Sequence, residues 1–89
     1  MELHILTETE IKKIDEAKKL VDAIKFLTKY KTLLHLLSVG KSTAEVAKLM
    51  YLDYRTIEGI IYRLMKASEA ENRVHLVSIA FRLNILKMN

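Results

Sequence analysis

At 89 residues the chain is the size of one domain, near the lower limit at which a single hydrophobic core suffices. Hydrophobic residues make up 51% and there is neither proline nor cysteine. That excludes disulfides and thiolate metal sites and, with only two glycines, points to an all-α fold. The net charge is +4, no apolar run approaches the roughly 18 residues of a membrane span, and the first residues carry acids where a leader would be apolar, so a cytoplasmic protein is expected.

The charge is unevenly spread. Residues 1–26 hold Lys12, Lys13, Lys18, Lys19 and Lys25 against Glu2, Glu8, Glu10, Asp15, Glu16 and Asp22, five cations to six anions. The remaining residues hold ten cations to five anions, so the positive field belongs to 27–89. The expected division is 1–26 as an amino-terminal arm and helix for packing or dimerisation, and 27–89 as the main domain.

Met1 to Leu6 is a short arm with apolar Leu3, Ile5 and Leu6. Thr7-Glu8-Thr9-Glu10 matches a capping box and predicts a helix from about Glu8 to about Phe26. Ile11, Ile14, Ala17, Val21 and Ile24, with Leu20 alongside, make a seam of about two heptads. Such a seam packs on its own domain or on a second copy. Phe26 to Val39 carries Leu27, Leu33, Leu34, Leu36 and Leu37 and ends before Gly40, suited to a left-handed cap. A break is expected near Leu27 to Lys29 with Thr28 as cap; one helix of about 30 residues is the alternative.

Ser42-Thr43-Ala44-Glu45 is a second capping box, followed by Val46, Ala47 and Met50 on one side of a short helix. Asp53 caps the next helix, whose inner face reads Ile57, Ile60, Ile61 and Leu64. Two short helices so joined predict a helix-turn-helix, which lays its second helix in a DNA major groove. Asn72 then caps a last helix from Arg73 to about Leu86. Only His75, Ser78 and Arg82 form a polar strip on it. Its apolar surplus predicts a further partner, either the amino-terminal helix or another subunit. Ile79, Phe81 and Ile85, with Ile14 and Val21, are the expected dimer contacts.

Tyr54, Arg55, Glu58, Gly59, Tyr62, Arg63 and Lys66 point away from the inner face of the second helix of the pair. Arg55 and Arg63 suit guanine O6 and N7, Glu58 can accept from cytosine N4, and Tyr62 suits a phosphate or a thymine methyl. Gly59 would let backbone come close to a DNA edge or a neighbouring helix. Base contacts are therefore assigned to Arg55, Glu58, Gly59, Tyr62 and Arg63. Lys41, Ser42, Thr43, Lys48, Tyr54, Thr56 and Lys66 are assigned to phosphates, which set affinity and salt dependence. The competing interpretation is an ordinary solvated face with Glu58 paired to Arg55 or Tyr62.

His4, His35 and His75 are scattered, and no HxxxH, HExxH or glycine-rich phosphate loop occurs. Neither an enzyme, a metal nor a cofactor is expected. Leu36-Leu37-Ser38-Val39-Gly40, Ser42-Thr43-Ala44-Glu45-Val46-Ala47, Leu52-Asp53, Thr56-Ile57 and Asn72-Arg73 with Val77, Ala80 and Leu83 run in one ungapped register. In that register residues 26–86 resemble the LuxR/FixJ (GerE-type) DNA-binding domain. The resemblance implies four helices, the middle two a helix-turn-helix and the last a common dimer contact. Departures cluster on the contact side: Lys29-Tyr30 replaces Arg-Glu, Glu58 a lysine, Ile60 a histidine, and Glu69 a glycine. The expected function is a stand-alone transcription regulator acting as a homodimer on double-stranded DNA. The competing one is an interaction protein that keeps the fold and pairs with another regulator or the transcription machinery.

Overall fold

The computed structural model describes residues 7–88, so the Met1–Leu6 arm and His4 lie outside the described residues. Five helices follow one another: α1 Glu8–Lys29, α2 Lys31–Ser38, α3 Thr43–Met50, α4 Tyr54–Ser68 and α5 Arg73–Arg82. Among the described residues there is no strand, and no helix is long and apolar enough to cross a membrane. Helix α4 lies at the centre, touching α1, α3 and α5, while α2 closes the side between α1, α3 and α5. Leu27, Leu33, Leu34, Val46, Ile57, Leu64 and Leu76 are wholly buried at their meeting point.

Local chemistry sets most boundaries. The Thr7 hydroxyl accepts from the Glu10 N–H at 3.2 Å and starts α1. Gly40, with φ of 88°, ends α2: its N–H reaches the Leu37 carbonyl and that of Lys41 the Leu36 carbonyl, the paired closure of a Schellman turn. Ser42 and Glu45 form the reciprocal capping box at α3, with bonds of 3.2 and 3.1 Å. Asp53 starts α4 and Asn72 starts α5, each accepting from the N–H three residues on. His75 returns the favour at α5, its Nδ1 accepting from the Glu71 N–H at 3.0 Å.

Three expectations are corrected. The break after α1 falls at Tyr30, beyond Leu27 to Lys29, so α1 runs past Phe26 to Lys29. Thr28 caps nothing there; its hydroxyl donates back to the Ile24 carbonyl at 2.6 Å, inside α1. At the other end α5 stops at Arg82, short of Leu86. Asn84 turns left-handed (φ 60°), and the Ile85 and Leu86 N–H groups both return to the Ala80 carbonyl.

That turn folds Ile85 and Leu86 into the core, Ile85 at 6% exposure, and Ile79 and Phe81 rest half-buried against the same core. Much of the apolar surplus of the last helix is therefore used within the protomer, and Ile85 has almost no surface left to offer a second subunit. Ile85→Ala should accordingly cost about 2–4 kcal/mol, the range for a truncated core aliphatic. Urea unfolding at two protein concentrations checks this; a loss that grows as concentration rises would place Ile85 at a subunit contact.

Candidate nucleic-acid interface

Helix α4 presents two unlike sides. Ile57, Ile60, Ile61 and Leu64 are buried, while Tyr54, Arg55, Thr56, Glu58, Tyr62, Arg63 and Lys66 are exposed. Spacings of four, three and four place Arg55, Gly59, Tyr62 and Lys66 along the line opposite the buried side. Glu58 and Tyr54 flank that line on one edge, Arg63 on the other.

The face is partly organised before any ligand arrives. The Arg63 Nε donates to the Gly59 carbonyl at 3.3 Å, and the Lys66 ammonium stands 5.5 Å from the centre of the Tyr62 ring. Both contacts hold long cationic side chains along the helix, which lowers the rotamer entropy lost on binding. No ion pair joins Glu58 to Arg55 among the described residues, so the acid and the arginine stand side by side with separate hydrogen-bonding capacity.

Gly59 sits mid-helix, where glycine costs about 1 kcal/mol relative to alanine. A Cβ built there meets nothing within 4 Å. No neighbouring helix of the protomer therefore needs the glycine, which removes one of the two reasons the sequence offered for it. The gap it leaves lies in the middle of the outward line.

The turn into α4 is Tyr51-Leu52-Asp53. Tyr51 takes a left-handed φ of 57° and is 94% exposed, while the Leu52 N–H closes onto the Ala47 carbonyl at 3.0 Å. Tyr51 was not among the sequence candidates. Its only signal was an aromatic residue in a short turn between two helices.

The group at the start of α3 divides. Lys41, Ser42 and Lys48 are exposed, with Lys41 3.9 Å from the Glu45 carboxylate. Thr43 is 4% exposed, so it has almost no surface to offer a phosphate, a correction to the sequence assignment. It occupies the first helical position, where the side chain next to the capping Ser42 turns inward beside Val46 and Ala47, also buried. The capping box already uses the Ser42 and Glu45 N–H groups of that turn.

Two carboxylates fix the geometry of this pair of helices. The Ser42 N–H and hydroxyl, then the Lys41 ammonium, hold the Glu45 carboxyl below its ordinary value. The Thr56 side chain and N–H do the same for Asp53.

Compared with known proteins, the chain matches no family model, no curated protein and no solved structure.

Two outcomes are expected from this geometry. Because Glu45 and Asp53 have folded values below their unfolded ones, the unfolded state takes up protons first as pH falls. Their contribution is complete above the ordinary carboxylate range, about pH 4–4.5, and is lost as pH drops through the depressed values. Urea midpoints from pH 6 down to 2 should fall less steeply for Ser42→Ala combined with Asp53→Ala than for the parent chain; equal slopes would contradict it. Separately, Gly59→Ala should raise stability by about 0.5–1 kcal/mol, read from the same unfolding curves, since the added methyl meets no obstacle.

Proposed function

We propose that the chain is a DNA-binding regulator of the LuxR/FixJ type, a homodimer that inserts α4 into the major groove of double-stranded DNA in the cytoplasm. The single observation that carries this reading is the outward line of α4. Two arginines, two tyrosines and a lysine stand in solvent around a glycine that the protomer itself does not need. A three-residue turn separates this helix from α3, the spacing of a helix-turn-helix.

In the proposed complex Arg55 and Arg63 donate to guanine edges, and Tyr62 meets a thymine methyl or a phosphate. Lys41, Lys48, Lys66, Ser42, Tyr54 and Thr56 hold phosphates on either side and fix the register. Glu58, which repels phosphates, reads a cytosine amino group when the sequence provides one. Gly59 lets the helix backbone come within contact distance of a base edge. The amino-terminal half of α1, with four acids against two lysines over residues 8–16, takes no part in groove contact.

A second reading is favoured by Glu58, the acid at the edge of an otherwise cationic surface. In it the same face of α4 docks on another regulator or on transcription machinery and DNA is not bound.

Titration of a fluorescent random duplex at about 50 and 200 mM salt separates the two. Three lysine–phosphate contacts per protomer, six in the homodimer, predict an affinity loss of about a thousandfold between those salts. Absent or salt-independent binding would select the protein partner. Arg63→Ala should cost about 1–3 kcal/mol on a preferred site and flatten sequence preference, whereas Lys41→Ala should weaken every duplex alike. Gly59→Ala, though the more stable protein, should bind less tightly. Unchanged affinity in Gly59→Ala would show that nothing comes near the α4 backbone.

A further inference from the structure

Helix α1 is long for the body it serves. Its 22 residues span about 33 Å at 1.5 Å per residue, and the molecule is correspondingly elongated, 59 × 30 × 23 Å. Only its last two turns join the core, through Ala23 and Leu27 with Ile24 and Phe26 half-buried. Every residue from Thr7 to Asp22 is exposed. Within that overhang Ile11, Ile14, Leu20 and Val21 keep an apolar line in water, Ile14 at 54% and Val21 at 48% exposure. The seam thus continues beyond the body that covers its end.

We infer that this overhang pairs with the same helix of a second copy, and that the two run antiparallel. Charge chooses the occupant and its direction. Residues 8–16 carry Glu8, Glu10, Asp15 and Glu16 against Lys12 and Lys13, whereas residues 17–29 carry Lys18, Lys19, Lys25 and Lys29 against Asp22. An antiparallel pair lays the acidic half of each helix along the basic half of the other and also opposes their dipoles. A parallel pair sets like halves together.

The heptad register supports the same choice. With Ile14 and Val21 at a and Ala17 and Ile24 at d, Lys13 falls at g and Lys18 at e, positions that face each other between parallel helices. Parallel pairing would thus set Lys13 against Lys18 on both sides of the seam. Antiparallel pairing leaves one like-charged meeting, Lys18 with its copy at the axis, and Asp15 and Asp22 stand one turn away on either side. In this arrangement a positions meet d positions, so Ile14 lies across from Ile24 and Ala17 across from Val21.

The seam covers about two heptads, fewer than the three or four that make a coiled coil self-sufficient. The pairing is therefore weak and reversible, and it carries the two bodies to opposite ends of a common rod. It does not depend on α4 binding DNA, so failure of that reading would leave it standing.

The chain has no cysteine, so an introduced thiol is unique. Ala17→Cys and Val21→Cys, both at exposed positions, are mixed in equal amounts in a glutathione redox buffer, and the disulfide-linked species are separated by mass. Circular dichroism of each variant confirms that helicity is retained. The expected result is a mixed Ala17→Cys/Val21→Cys dimer in several-fold excess over either homodimer. Predominance of the Ala17→Cys and Val21→Cys homodimers would overturn the orientation. No linked species, together with a monomer mass for the unaltered chain in sedimentation at hundreds of micromolar, would overturn the pairing itself.

Discussion

Burial of Ile57, Ile60, Ile61 and Leu64 along one side of α4 is the constraint from which the remaining arrangement follows. Three helices must touch that side at once, and α1, α3 and α5 do so from different directions. Once they are seated, α4 cannot rotate without exposing four large aliphatic side chains, each worth about 1.5–3 kcal/mol of transfer free energy. The opposite side is fixed in solvent as a consequence. Whatever Arg55, Tyr62 and Arg63 do, they do it from a rigid platform, which is what a binding surface on a helix requires.

The caps make the platform repeatable. Asp53 sets where α4 begins, and the tight closure of Leu52 onto Ala47 sets how α3 leads into it. The turn accepts Tyr51 in a left-handed conformation that glycine would adopt at lower cost. Glu69, ending α4, does the same. Two non-glycine residues held in that conformation show that the contacts around these turns, not local preference, decide the chain path there.

What the sequence made legible follows the range of the signal. Ser42, Asp53 and Asn72 announced their helices because a cap is a bond between residues three apart, and the inner line of α4 was legible through its spacing alone. Thr28 was misread because the same hydroxyl can cap a helix or bond back to Ile24, and only neighbours beyond the local stretch choose. Ile85 and Leu86 continued a helical pattern, yet Asn84 turns the chain, a step with no glycine to mark it. Thr43 looked like a surface donor until α3 was seated with that residue inward. The exposure of Ile14 and Val21 was undecidable from periodicity, since a seam that covers its own domain and one that meets a copy are written alike. At the candidate site, the outward line was read correctly as a line; the empty space around Gly59 needed coordinates.

The side of α4 opposite its core is proposed as a ligand face. This is tested most directly by following the backbone amide resonances of the full chain while duplex DNA is added. The largest shifts are expected at Arg55, Gly59, Tyr62 and Arg63, with smaller ones at Lys41 and Ser42 and none along residues 8–22. Shifts confined to α1 or α5, with the amides of α4 unmoved at saturating DNA, would contradict it.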